Sequence, residues 1–89
     1  MKSESRKSGA TVLVIDDETS VRRMLRYALE GQGYRVLEAS TAEEGLASAA
    51  TQPPDAVVLD LGLPDLDGTE VLRRLREWSA VPVLVLSVR

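Results

Sequence analysis

Two acidic groups stand directly after apolar runs: Asp16-Asp17-Glu18 follows Val12-Leu13-Val14-Ile15, and Asp60 follows Ala56-Val57-Val58-Leu59. A hydroxyl residue, Ser87, closes a further run, Val81-Pro82-Val83-Leu84-Val85-Leu86. The 89 residues contain no His and no Cys. Those absences exclude a thiolate metal site, a disulfide scaffold, a Cys nucleophile, an imidazole base and a Ser-His-Asp triad. Chemistry is left to carboxylates, hydroxyls, Lys/Arg and the backbone. Two carboxylates about 5 Å apart repel by about 3 kcal/mol at an effective dielectric of about 20. Three of them gathered in one place must hold a proton or a cation. An all-oxygen ligand set selects Mg²⁺, Mn²⁺ or Ca²⁺. Because Mg²⁺ keeps several waters and accepts phosphate oxygens, the pattern looks like a phosphate-handling site. Taken singly, each acid is an ordinary solvated loop residue; their shared placement at strand ends is what points to a site.

That placement depends on the elements between them. Val12–Ile15 is continuously apolar and β-branched in three of four positions, which suggests a strand buried on both faces. Val21, Met24, Leu25, Ala28 and Leu29 form one helical stripe, expected to face the core, and Gly31 and Gly33 stop that helix. Tyr34–Glu38 is a second strand candidate. Thr41 with Glu44 three residues on forms a capping box for a helix with Leu46, Ala49 and Ala50 on its apolar face, ended by Pro53-Pro54. Ala56–Leu59 is a third buried strand, and the turn-rich Gly62, Pro64, Asp65, Asp67 and Gly68 follow it. Val71, Leu72 and Leu75 mark a third helix with Trp78 near its end, and Val81–Leu86 is a fourth strand, with Pro82 tolerable at its start. The order β-α-β-α-β-α-β predicts an α/β fold with a parallel sheet and right-handed crossovers. Parallel strands place their carboxyl ends side by side, so Asp16, Asp17, Asp60 and Ser87 are expected to converge.

Composition narrows the function classes. Eleven basic against fourteen acidic residues, net −3, is not the footprint of a nucleic-acid-binding domain. Residues 1–10 are polar, lack the apolar stretch of a signal peptide and read as a disordered tail before a single domain over 11–89. No apolar run reaches the ~18 residues of a membrane span, and a cytoplasmic protein is expected.

The segments VLVIDDE, VVLDLGLPDLDG and VPVLVLS together resemble a two-component response-regulator receiver domain, over Thr11 to Arg89. Pro64 and Gly68, four and eight residues after Asp60, belong to the same likeness. The LREWSAVPVLVLS segment is similar to the Kdp-type potassium-uptake regulators of the winged-helix (OmpR/PhoB-like) class. The resemblance implies a flavodoxin-like sheet of order 2-1-3-4-5. It implies that Asp60 is the phosphoacceptor for a partner histidine kinase. Asp16, Asp17 and Asp60 would hold Mg²⁺ with the backbone carbonyl of Gly62, and Ser87 would contact a phosphoryl oxygen and switch. Arg22, Arg23 and Arg26 read as a solvated helix face, with kinase docking as the sharper alternative.

The receiver pattern continues for about one more βαβ unit, and a Lys at the start of its fifth strand pairs with the phosphoryl group. Here the lysines are Lys2 and Lys7. The sequence therefore reads as an incomplete receiver, with four of five strands, three of five helices and no DNA-binding output domain. Weak phosphotransfer is expected, and self-association through an exposed fourth strand and first helix, part of whose stripe should then face water. A phosphoacceptor module that is not a turnover enzyme is the leading reading. The alternative is a pseudo-receiver that binds partners without phosphotransfer. A haloacid-dehalogenase-type phosphatase would need an acid two residues after Asp60, where Gly62 stands.

Overall fold

The computed structural model describes residues 9–86. Most of the polar tail expected over 1–10, namely residues 1–8, and the candidate site residue Ser87 lie outside the described residues. Strand β1 spans Thr11–Ile15, helix α1 Thr19–Gly31, strand β2 Arg35–Ala39 and helix α2 Ala42–Thr51. Strand β3 spans Ala56–Asp60, helix α3 Gly68–Arg76 and strand β4 Val83–Leu86. The four strands form one parallel sheet in the order β2-β1-β3-β4, the flavodoxin-like order the sequence implied. Among the described residues no helix is long and apolar enough to cross a membrane.

Side-chain alternation along the strands sends residues to two cores. Leu13, Ile15, Val57 and Leu59 pack beneath α2 and α3 with Ala42, Ala49, Val71 and Leu75. Val12, Val14, Val36 and Val58 pack on the other face with Leu25 and Leu29 of α1. The near-continuous apolarity of β1 and β3 follows, since both faces are covered.

The helices depart from the sequence reading in instructive ways. The apolar stripe of α1 divides: Leu25 and Leu29 meet the core, whereas Ala28 is exposed and Met24 is 60% exposed, so part of the stripe does face water. On α2 the inward residues are Ala42, Gly45 and Ala49, with Leu46 partly covered, while Ala50 is exposed. Small residues are needed there because α2 lies close to β1: a Cβ on Gly45 would fall 2.5 Å from Ile15 Cδ1. The capping pair holds, with Thr41 Oγ1 accepting from Glu44 N at 3.1 Å; the Glu44 carboxylate returns to Ser40 N at 2.8 Å. Helix α1 ends as its glycines require: Gly33 adopts φ 95°, and Tyr34 N donates to Leu29 O at 3.1 Å. That bond uses Tyr34 for the helix end, so β2 begins one residue later than its apolar pattern suggests. Strand β4 likewise begins at Val83, because Pro82 has no N–H to give; its carbonyl instead accepts from Val57 N at 2.9 Å.

Gly68 opens α3 where the chain turns back on the end of β3. A Cβ there would lie 2.6 Å from Leu61 Cα and 3.2 Å from the Asp60 carbonyl oxygen. Both neighbours are backbone and cannot rotate away. Gly68→Ala is therefore expected to destabilise the fold by about 1–3 kcal/mol, despite alanine's better helix propensity. Urea unfolding of the two proteins measures the difference.

Candidate functional site

The in-register parallel pairing brings the ends of β1 and β3 together: Ile15 is opposite Leu59. The next residue after each is an aspartate: Asp16 just beyond β1, and Asp60 as the last residue of β3. Asp16 is 3% exposed and Asp60 is 5% exposed, and with exposed Asp17 they offer carboxylate oxygens within 4.8 Å of one another. The convergence of the three acids expected from the sequence is thus present. Strand β4 delivers Leu86 opposite Asp60, and Ser87, the residue after it, lies outside the described residues.

Each buried acid is held by the backbone just beyond it. Asp16 Oδ1 accepts from Glu18 N at 2.9 Å, and Asp60 Oδ1 accepts from Gly62 N at 3.1 Å. These two matching turns fix the carboxylates while leaving other lone pairs free for a ligand. Burial pushes the Asp16 carboxyl above its ordinary value. The Glu18 N–H opposes that shift, and the charges of Asp60 and Asp17 add to it. Two buried carboxylates and a third at the rim, all oxygen donors, match a hard divalent cation. Mg²⁺ fits this set: it takes a few carboxylates and leaves room for water and phosphate oxygens. Gly62 lies in the exposed loop after β3, two residues from Asp60.

Two supporting groups escaped the sequence reading. Arg22, assigned there to a solvated face, is largely buried at its side chain. Its Nη1 donates to the Asp16 carbonyl oxygen at 2.8 Å and its Nε to Glu38 at 3.0 Å. Arg26 joins Glu38 to Glu30, and these two arginines, Arg26 first, hold the Glu38 carboxyl below its ordinary value. The available signal was an arginine one turn into a helix that starts beside an acid pair. The second group is Asp65, whose carboxylate accepts from Ala42 N at 2.9 Å and Glu43 N at 3.1 Å, at the start of α2.

Residues 12–89 match the family model described as the response regulator receiver domain. The KDP operon transcriptional regulatory protein KdpE of Escherichia coli is 62% identical over 78 residues, covering 88% of this chain and 35% of that protein. KdpE of Mycobacterium tuberculosis is 55% identical, covering 88% of this chain and 34% of that protein. The chain thus spans about a third of the length of the curated relatives it matches. Among solved structures, the N-terminal domain of a response regulator receiver protein from Methanoculleus marisnigri superposes with a TM-score of 0.84 at 36% identity. That match covers 89% of this chain and 67% of that one.

The charge crowding makes a stability prediction. In chelator, Asp60→Asn should raise the unfolding free energy, by at most the ~3 kcal/mol of one such repulsion. Adding Mg²⁺ at about ten times its Kd should stabilise the wild type by about 1.4 kcal/mol and the variant much less. Thermal melts with and without Mg²⁺ check both. A wild-type midpoint that ignores Mg²⁺ would count against the site.

Proposed function

The chain belongs to the response regulator receiver family, and on that premise we propose that it is the phosphoacceptor module of a two-component response regulator, with Asp60 taking the phosphoryl group from the phosphohistidine of a sensor histidine kinase. The observation that carries this reading is the buried Asp60 carboxylate within 4.8 Å of Asp16 and Asp17 at the carboxyl edge of the sheet. A free oxygen of Asp60 attacks phosphorus, the P–N bond to the imidazole breaks, and the imidazole nitrogen keeps the electron pair and takes a proton. The product is an acyl phosphate on Asp60. Gly62 N, already donating to Asp60 Oδ1, holds the nucleophile's orientation. Asp16, Asp17, Asp60 and the Gly62 carbonyl are the proposed ligands of Mg²⁺, which offsets the negative charge of the incoming group. Ser87 is proposed to contact a phosphoryl oxygen. The module is a stoichiometric acceptor in the cytoplasm, not a turnover enzyme, and binds no nucleic acid itself.

Acetyl phosphate with Mg²⁺ tests the reading. Intact-mass spectra should show one phosphoryl group on the 89-residue chain. Asp60→Asn should show none, and chelator should abolish labelling. Labelling that persists in Asp60→Asn would overturn the assignment of the acceptor. A wild type that never labels favours the pseudo-receiver.

We also propose that the chain self-associates through β4 and α1. Among the described residues the outer edge of β4 pairs with no strand, and Leu84 is 64% exposed. On α1, Met24 and Tyr27 are exposed on the same side of the sheet as Leu29 and Tyr34. An apolar edge without charge is a template for another strand. Sedimentation should show concentration-dependent association that Leu84→Lys reverses. A monomer at every concentration would refute this contact.

A further inference from the structure

We propose that Asp65 is a positioning residue of the acidic site: its carboxylate ties the loop after Asp60 to the N-terminus of α2, and so holds Gly62 and Asp60 in register with Asp16 and Asp17. The inference rests on the receiver reading, which makes Asp60 and the Gly62 carbonyl cation ligands.

The loop from Leu61 to Asp67 is fastened at every stage. Gly62 N donates to Asp60 Oδ1 at 3.1 Å, and Leu61 O accepts from Gly68 N at 3.2 Å. Leu63 is buried in the core under α2, and Leu66 packs against the same cluster. Asp67 caps α3 through Thr69 N at 3.1 Å. Asp65 adds hydrogen bonds to α2. Its two oxygens take Ala42 N at 2.9 Å and Glu43 N at 3.1 Å, so both belong to the first turn of α2. Thr41 caps the next N–H of that turn, Glu44 N. A carboxylate with both oxygens on helix N–H groups also sits at the positive end of the helix dipole, which strengthens the tie. Since α2 is seated on β1 through Gly45 and Ile15, Asp65 closes a path from the loop of Asp60 back to the strand that carries Asp16.

Merely capping α2 is the competing role, and Thr41 provides the control because it caps the same helix without touching the loop. A Mg²⁺ titration followed by two-dimensional NMR, below the unfolding transition of every variant, reads the Kd and the Gly62 amide resonance together. Asp65→Ala should weaken Mg²⁺ about tenfold, the lower end for outer-shell partners of a metal site, and should move the Gly62 amide resonance before metal is added. Asp65→Asn, which keeps one acceptor oxygen, should fall between it and the wild type; it carries the test if Asp65→Ala does not fold. Thr41→Ala should lower the melting temperature and leave the Mg²⁺ Kd and the Gly62 resonance in place. Asp65 variants that bind Mg²⁺ as the wild type does, or Thr41→Ala weakening it equally, would overturn the inference while sparing the receiver reading. A wild type that does not bind Mg²⁺ would overturn both.

Discussion

Everything about this fold's working edge follows from electrostatic repulsion that the sheet enforces. Neighbouring parallel strands β1 and β3 end in register, and each is followed by or ends on a buried carboxylate. Left in water the acids would separate; held by Glu18 N and Gly62 N at the ends of interior strands, they are kept together. The burial that raises the Asp16 pKa also lowers the local dielectric, so an incoming cation is attracted more strongly there than at an open surface. Crowding three carboxylates has a cost that the proposed divalent ion would offset.

The surrounding structure serves that edge from outside it. Arg22 lends a positive charge to the Asp16 backbone without contacting the carboxylate side chain, and Glu38 with Arg26 keeps the guanidinium in place. Placing the arginine on a carbonyl oxygen leaves the acid's free lone pairs available, which a direct ion pair would have occupied. The close approaches at Gly45 and Gly68 bring α2 and the start of α3 hard against β1 and the loop after β3.

Much of this could be read from residue order. Continuous apolar runs announced β1 and β3, because strands buried on both faces leave no room for alternation. Acids at their ends announced the cluster, because parallel connection fixes which edge they share. The Thr41–Glu44 cap was legible because it is local. The part of the α1 stripe expected to face water does so at Met24 and Ala28, since among the described residues α1 is the one helix on its face of the sheet. What escaped was what periodicity cannot encode. The inner face of α2 was misplaced at Ala50 because close packing selects small residues, and an alanine-rich helix offers several equivalent stripes. Arg22 and Asp65 act through bonds to backbone atoms, which leave no residue-type signature at the accepting or donating end.

Strand order has a further consequence for how the molecule opens. Among the described residues β1 and β3 are interior strands, whereas β2 and β4 each have one hydrogen-bonded neighbour. Amides whose partners lie inside the sheet exchange with solvent only through large-scale unfolding, while edge amides are released by local fraying. The acids therefore sit on the two strands that are last to come apart. Fluctuations of the sheet margins can proceed many times over without disturbing the spacing of the charges.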